Sequence, residues 1–174
     1  MKVLIVDDEK LIINLLKLLL EKIEGVEVES AINEDEAKKK FDKSFDLLII
    51  DKNLGKTSGL ELANIFKCKN NFLRILLISG DASIQRNYTG IDYILLKPFQ
   101  NDEFIKIINK VKDDKIMKIA KICHEINQPA MAILGISEIL INKYNDKRIH
   151  TLKEQAERLS KILNKLSYAL FDNK

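Results

Sequence analysis

Hydrophobic positions follow two regimes along the chain. Up to about residue 100, short apolar runs alternate with amphipathic stretches; beyond it, apolar residues recur every three or four positions. The runs KVLIV, DLLII, RILLI and YILL are nearly unbroken Val, Ile and Leu, the composition of strands buried on both faces. Together with a fifth segment they predict strands at 2–6, 26–31, 45–50, 74–78 and 93–96. The intervals predict helices at 10–23, at 34–41 behind an Asn33 cap, at 60–68 and at 83–88, with a fifth starting at Asn101. Such alternation builds a parallel sheet flanked by helices. In the first helix, Ile12, Leu16, Leu19 and Ile23 form a stripe suited to the sheet, whereas Leu11, Leu15 and Leu18 form a second that is left partly exposed.

No Gly or Pro interrupts the fifth helix where it meets Lys112-Asp113-Asp114-Lys115. A heptad seam begins beyond: Ile116, Ile119, Cys123, Ile126, Ala130, Ile133, Ser137, Leu140 and Tyr144. After a turn around Asn145-Asp146-Lys147, a second seam runs through Ile149, Leu152, Ala156, Leu159, Leu163, Leu166 and Leu170. Two antiparallel helices cannot hide both seams together with Ile122, Ile136 and Ile139. The expectation for residues 113–174 is therefore an all-α antiparallel helical hairpin that pairs into a dimeric four-helix bundle, a homodimer through residues 116–170.

At 174 residues and 46% hydrophobic content the chain can bury a full domain core and carry a small appendage. Its 29 basic and 26 acidic side chains are interspersed, without a basic block, which argues against a nucleic-acid partner. Cys68 and Cys123 stand far apart, and neither a signal-like N-terminus nor a span of about 20 apolar residues is present. A cytoplasmic location without membrane attachment is expected.

Four of the strand-like runs end in polar residues: Asp7-Asp8, Asp51, Ser79 and Lys97. In an open parallel sheet all four fall where ligands gather. Asp7, Asp8 and Asp51 would crowd three carboxylates, which is costly unless a cation joins them, and Mg²⁺ suits an all-oxygen site that keeps room for a phosphoryl group. Lys97 would supply a second cation and Ser79 a hydroxyl. Taken singly, each residue also has an ordinary role, as a helix cap, a strand end, a turn or a solvated lysine. Their order at successive strand ends favours phosphoryl acceptance by Asp51.

Residues 1–112 resemble the receiver domain of two-component response regulators through Asp7-Asp8, Asp51 followed by Ser58-Gly59, Ser79-Gly80 and Lys97-Pro98-Phe99. The resemblance implies a flavodoxin-like, five-stranded, doubly wound α/β fold. It also implies that Asp51 accepts a phosphoryl group from a phosphohistidine, that Asp8 and Asp7 hold Mg²⁺ with the Asn53 backbone carbonyl completing the site, and that Ser79 and Lys97 respond to phosphorylation. Two positions depart from the family pattern. Gly55 stands where Pro is usual, and Ile94 replaces the usual aromatic three residues before the lysine, with Tyr93 one place earlier. Alternate strand residues point to opposite sides, so Tyr93 and Ile94 are expected on different faces.

Residues 113–174 resemble the dimerisation and histidine-phosphotransfer domain of histidine kinases, through His124-Glu125-Ile126-Asn127-Gln128-Pro129 and the paired heptad helices. The resemblance implies that His124, next to seam residue Cys123, projects outside the seam and carries phosphate. Glu125 would keep its Nε2 nucleophilic as an acid or base, and Gln128 holds the position from which family members with phosphatase activity orient a hydrolytic water. Pro129 removes a helical N–H and is expected to kink the helix. The ordinary alternatives are a solvated histidine, glutamate and glutamine. The sequence contains no Gly-rich ATP-binding segment, so ATP-dependent autokinase activity is not expected. The implied role is a phosphorelay intermediate or phosphatase working with a cognate histidine kinase or other phosphorelay proteins. Two other readings are a dimeric signalling scaffold with a vestigial His124 and a truncated hybrid histidine kinase.

Overall fold

Residues 3–6, 47–50 and 75–78 are at most 1% exposed, so three of the apolar runs form the centre of the N-terminal part of the chain. The computed structural model describes residues 1–55, 57–81, 88–144 and 146–171, and the chain divides into two compact units, Met1–Lys112 and Asp113–Lys174. The elements in order are β1 (Lys2–Val6), α1 (Lys10–Leu20), β2 (Glu27–Ala31), α2 (Glu34–Lys40), β3 (Leu47–Asp51), β4 (Asn53–Leu54), β5 (Thr57–Ser58), α3 (Gly59–Lys69), β6 (Arg74–Ser79), β7 (Tyr93–Leu96), α4 (Asn101–Tyr144) and α5 (Lys147–Phe171).

The first unit is a five-stranded sheet in the order β2-β1-β3-β6-β7, with every neighbouring pair parallel, in the flavodoxin-like arrangement. Alternate strand residues feed two cores. Val3, Ile5, Ile49, Leu76 and Ile78 pack with Ile13, Leu16 and Leu20 of α1 and Phe104, Ile108 and Val111 of α4. Leu4, Val6, Leu48, Ile50 and Leu77 pack with Ala37 of α2 and Leu62, Ala63 and Phe66 of α3. Tyr93 joins the first core and Ile94 the second, which puts the two on opposite faces of β7.

The structure departs from the expected elements in detail. Helix α1 ends at Leu20 rather than residue 23, and the following turn passes through Gly25 at φ +73°, which glycine adopts without a Cβ penalty. Its buried stripe is Ile13, Leu16, Leu19 and Leu20, with Ile12 and Ile23 only half-buried; Leu11 and Leu18 are 82% and 59% exposed. The antiparallel pair β4–β5 was not foreseen because two-residue strands carry no periodicity. The helix expected at 83–88 lies, apart from Tyr88, outside the described residues, as does Asn145 of the expected turn.

In the second unit, α4 continues through Pro129. The missing N–H removes one rung, the bond to the Glu125 carbonyl, without ending the helix. The seams divide into two sets. Cys123, Ala130 and Ser137 on α4 and Ala156, Ser160 and Leu163 on α5 are buried, a ladder of six mostly small residues. The larger Ile126, Ile133, Leu152, Leu159 and Leu166 remain 38–50% exposed, with Ile122, Ile136, Ile139 and Ile162 beside them. Among the described residues, no helix is long and apolar enough to cross a membrane.

Candidate functional site

Because β1, β3, β6 and β7 are parallel, Asp7, Asp51, Ser79 and Lys97 meet along one edge of the sheet. Lys97 Nζ lies 2.8 Å from Asp51 Oδ1, 3.4 Å from Asp7 Oδ2 and 3.5 Å from Glu9 Oε1. Asp7, Asp51 and Ser79 are buried. Backbone amides fix them: Glu9 N–H donates to Asp7 Oδ1 at 2.8 Å, Asn53 N–H to Asp51 Oδ2 at 2.7 Å, and Asp81 N–H to Ser79 Oγ at 3.0 Å. Asp8 is exposed next to the site.

Two glycines shape the approach to Asp51. A Cβ on Gly59, the first residue of α3, would stand 1.8 Å from the Asp51 carbonyl oxygen, so only glycine lets the helix start there. Gly55 has φ +60°, a value the fixed φ of proline forbids, and this explains the departure at that position. A Cβ at Gly55 would come 3.7 Å from Asp8 Oδ2, which places the Asp8 carboxylate against this loop.

The electrostatics reflect crowding. Burial pushes the Asp7 carboxyl up, and the neighbouring Asp51 adds to it, against the pull of the Glu9 amide and Lys97. Burial alone would lower Lys97; its bonds and attraction to Asp51 and Asp7 outweigh that and hold the ammonium above its ordinary value. As they stand, no three acidic, histidine or cysteine side chains among the described residues converge into a metal cage. The ammonium of Lys97 instead bridges two of the carboxylates. The donor set nevertheless fits a hard dication: two neighbouring buried carboxylates, a third carboxylate exposed beside them, and oxygen donors throughout.

His124, Glu125 and Gln128 belong to the second unit. The Gln128 amide nitrogen lies 3.3 Å from His124 Nε2. Glu125, expected on the imidazole, is exposed and faces Lys121 at 3.8 Å. Sequence reasoning missed the ion pair of Lys52 Nζ with Asp81 Oδ2 at 2.7 Å, which ties the loop after β3 to that after β6, because loop-to-loop pairing leaves no periodic trace. It also missed Asn127, whose Nδ2 donates to Asn164 Oδ1 on α5 at 3.4 Å. The signal available there was two amides interrupting otherwise apolar or small facing positions.

This edge of a parallel sheet gathers buried acids, a hydroxyl and a lysine where α/β folds of this kind hold their ligands. Residues 3–109 match the family profile described as response regulator receiver domain, and the chain belongs to that family. Sensory transduction protein LytR of Staphylococcus haemolyticus is 36% identical over 135 residues, covering 75% of this chain and 52% of that protein. The CpxR homolog of Haemophilus influenzae, a transcriptional regulatory protein, is 34% identical over 113 residues, 63% of this chain and 49% of its own. The chain thus spans about half the length of these curated relatives. Among solved structures, response regulator TrrA from Thermotoga maritima in complex with Mg²⁺-BeF superposes with TM-score 0.57 at 34% identity, over 63% of this chain and 97% of that one. A CheY-like receiver domain protein from Methanospirillum hungatei gives 0.58 at 28%, over 66% and 95%. The first unit is therefore a two-component receiver domain that signals through aspartate phosphorylation.

Proposed function

We propose that Asp51 is the phosphorylated aspartate. The observation that carries this is the contact of Lys97 Nζ with Asp51 Oδ1 at 2.8 Å, beside buried Asp7 and Ser79. Asp51 Oδ1 attacks the donor phosphorus, the P–N bond of a phosphohistidine breaks, and Lys97 moves from the carboxylate to a phosphoryl oxygen. Ser79 turns its hydroxyl to another of those oxygens. Asp7, Asp8, Asp51 and the Asn53 carbonyl would hold Mg²⁺, which when bound neutralises charge on the transferring group. The complex of the relative TrrA with Mg²⁺-BeF supports this assignment.

Residues 113–174 act as a dimerisation and histidine-phosphotransfer hairpin that follows the receiver at 1–112 in the chain. Large apolar side chains left outside the hairpin, Ile126, Ile133, Leu152 and Leu159 among them, support a homodimer through residues 116–170. The placement of Gln128 against His124 Nε2 supports His124 as the residue that exchanges phosphate or assists its hydrolysis. A cognate histidine kinase or another phosphorelay protein is the partner. Incubation with such a phosphorylated kinase, followed by separate mapping of acid-labile and base-labile phosphate, tests both assignments. Label on Asp51 and His124 is expected; label on Asp51 alone reduces the hairpin to a scaffold.

A further inference from the structure

We propose that the polar pocket beside His124 binds an ordered water linking the imidazole to the Asn127–Asn164 pair, and that this link holds the ring in its Nδ1–H tautomer. The functional sense of the proposal rests on the reading of His124 as a phosphoryl carrier; the tautomer itself does not. The pocket lies between α4 and α5, has a volume of about 90 Å³, and is lined by Cys123, His124, Asn127, Leu163, Asn164 and Ser167 among others. Into this part of the hairpin the chain places two amides. Asn127 uses Nδ2 on Asn164 Oδ1, while its own Oδ1 is buried and, among the described residues, has no hydrogen-bond partner. An orphaned buried acceptor costs roughly 1–3 kcal/mol, which water recovers where a cavity is polar and exceeds about 10–15 Å³. Both conditions hold here.

The imidazole supplies the complementary need. With the Gln128 amide on Nε2, the neutral ring carries its proton on Nδ1, and that N–H requires an acceptor. Glu125, the acid next in sequence, is directed to Lys121. Asn127 Oδ1 is one helical turn further along and borders the same pocket as the ring. A water accepting from Nδ1–H and donating to Asn127 Oδ1 satisfies both groups, with the Ser167 hydroxyl on the pocket wall as a third partner. The consequence is an unprotonated Nε2 that can take a phosphoryl group once the Gln128 amide moves off it, without a carboxylate on the ring. Asn127 is then a positioning residue. Asparagine pairs between helices also fix register, but that role alone leaves an imidazole tautomer untouched.

The test is nitrogen-15 NMR of the imidazoles in the full chain at about pH 8, above the range in which a free imidazole titrates, about 6.5. Only His124 and His150 contribute, and His124→Ala assigns the signals. His124 is expected mainly as Nδ1–H in the wild type, shifting several-fold toward Nε2–H in Asn127→Leu, while His150 stays unchanged. Asn127→Asp, which retains an acceptor oxygen, is expected to keep the Nδ1–H form. A wild-type His124 in the Nε2–H form overturns the proposal. So does an unchanged tautomer ratio in Asn127→Leu, which would leave Gln128 alone responsible. Should Asn127→Leu fail to fold, Asn164→Leu removes the anchor from α5, and an unchanged ratio there overturns the proposal equally. No phosphoryl group is involved, so a His124 that never takes phosphate refutes the functional reading and leaves the tautomer result standing.

Discussion

Asp7 places a carboxylate almost wholly out of water next to a second buried one, and burial is the main reason its pKa is raised. For an acid this sign means that ionisation costs stability: the cost begins as pH rises past the unfolded value and is complete above the folded one. Asp7→Asn is therefore expected to raise the thermal midpoint at neutral pH without Mg²⁺, by a few degrees if the cost is near 1 kcal/mol, since about 4–8 °C corresponds to that energy in a domain of this size. It is also expected to blunt the stabilisation that added Mg²⁺ gives the wild type. Thermal melts with and without Mg²⁺ check both, and a lower midpoint in Asp7→Asn contradicts the account. At this scale the sequence was informative where chemistry coincides with a strand end. Asp7, Asp51, Ser79 and Lys97 each close an apolar run, so their convergence could be read from topology. The orientation of Glu125 and the pairing of Lys52 with Asp81 depend on side-chain packing that spacing does not encode.

One carboxylate joins three elements of the receiver. Asp92, just before β7, accepts from Arg74 at 2.5 Å, from the Ile75 amide at 2.9 Å on β6, and from Lys67 of α3 at 3.1 Å. Burial alone would raise its pKa, but these donors outweigh that and hold it below the ordinary carboxylate range. A depressed folded pKa contributes stability above the unfolded value, about 3.9, and that contribution is lost as pH falls through the folded one. Asp92→Asn should lose about 1–3 kcal/mol at pH 7 and show a shallower loss of stability on acidification than the wild type. Denaturant titrations at neutral and acidic pH measure this; equal acid limbs in both proteins contradict it. Strand positions were legible because continuous Val, Ile and Leu runs have few alternatives. Helix limits were not: α1 stops three residues early where the chain turns toward Gly25, and its sheet-facing stripe is rotated to Ile13 and Leu20. In the hairpin, heptad spacing identified the apolar residues but not which of them face the partner helix, since both flanks of a seam satisfy the same three-four rhythm.

At the scale of the whole molecule, the two sets of seam residues differ in burial. The small buried ladder closes the hairpin, and the larger set, Ile126, Ile133, Leu152 and Leu159, stays exposed, the face that the proposed homodimer would cover. Ile133→Glu combined with Leu159→Glu is expected to convert a dimer into a monomer in sedimentation velocity while leaving the receiver's small-donor phosphorylation intact. A double variant that sediments as the wild type does removes the hairpin from the interface. The central claim, phosphoryl acceptance by Asp51, is tested most directly by intact-protein mass spectrometry after incubation with Mg²⁺ and acetyl phosphate. The account predicts one added phosphate in the wild type and none in Asp51→Ala; equal labelling of the two proteins would contradict it.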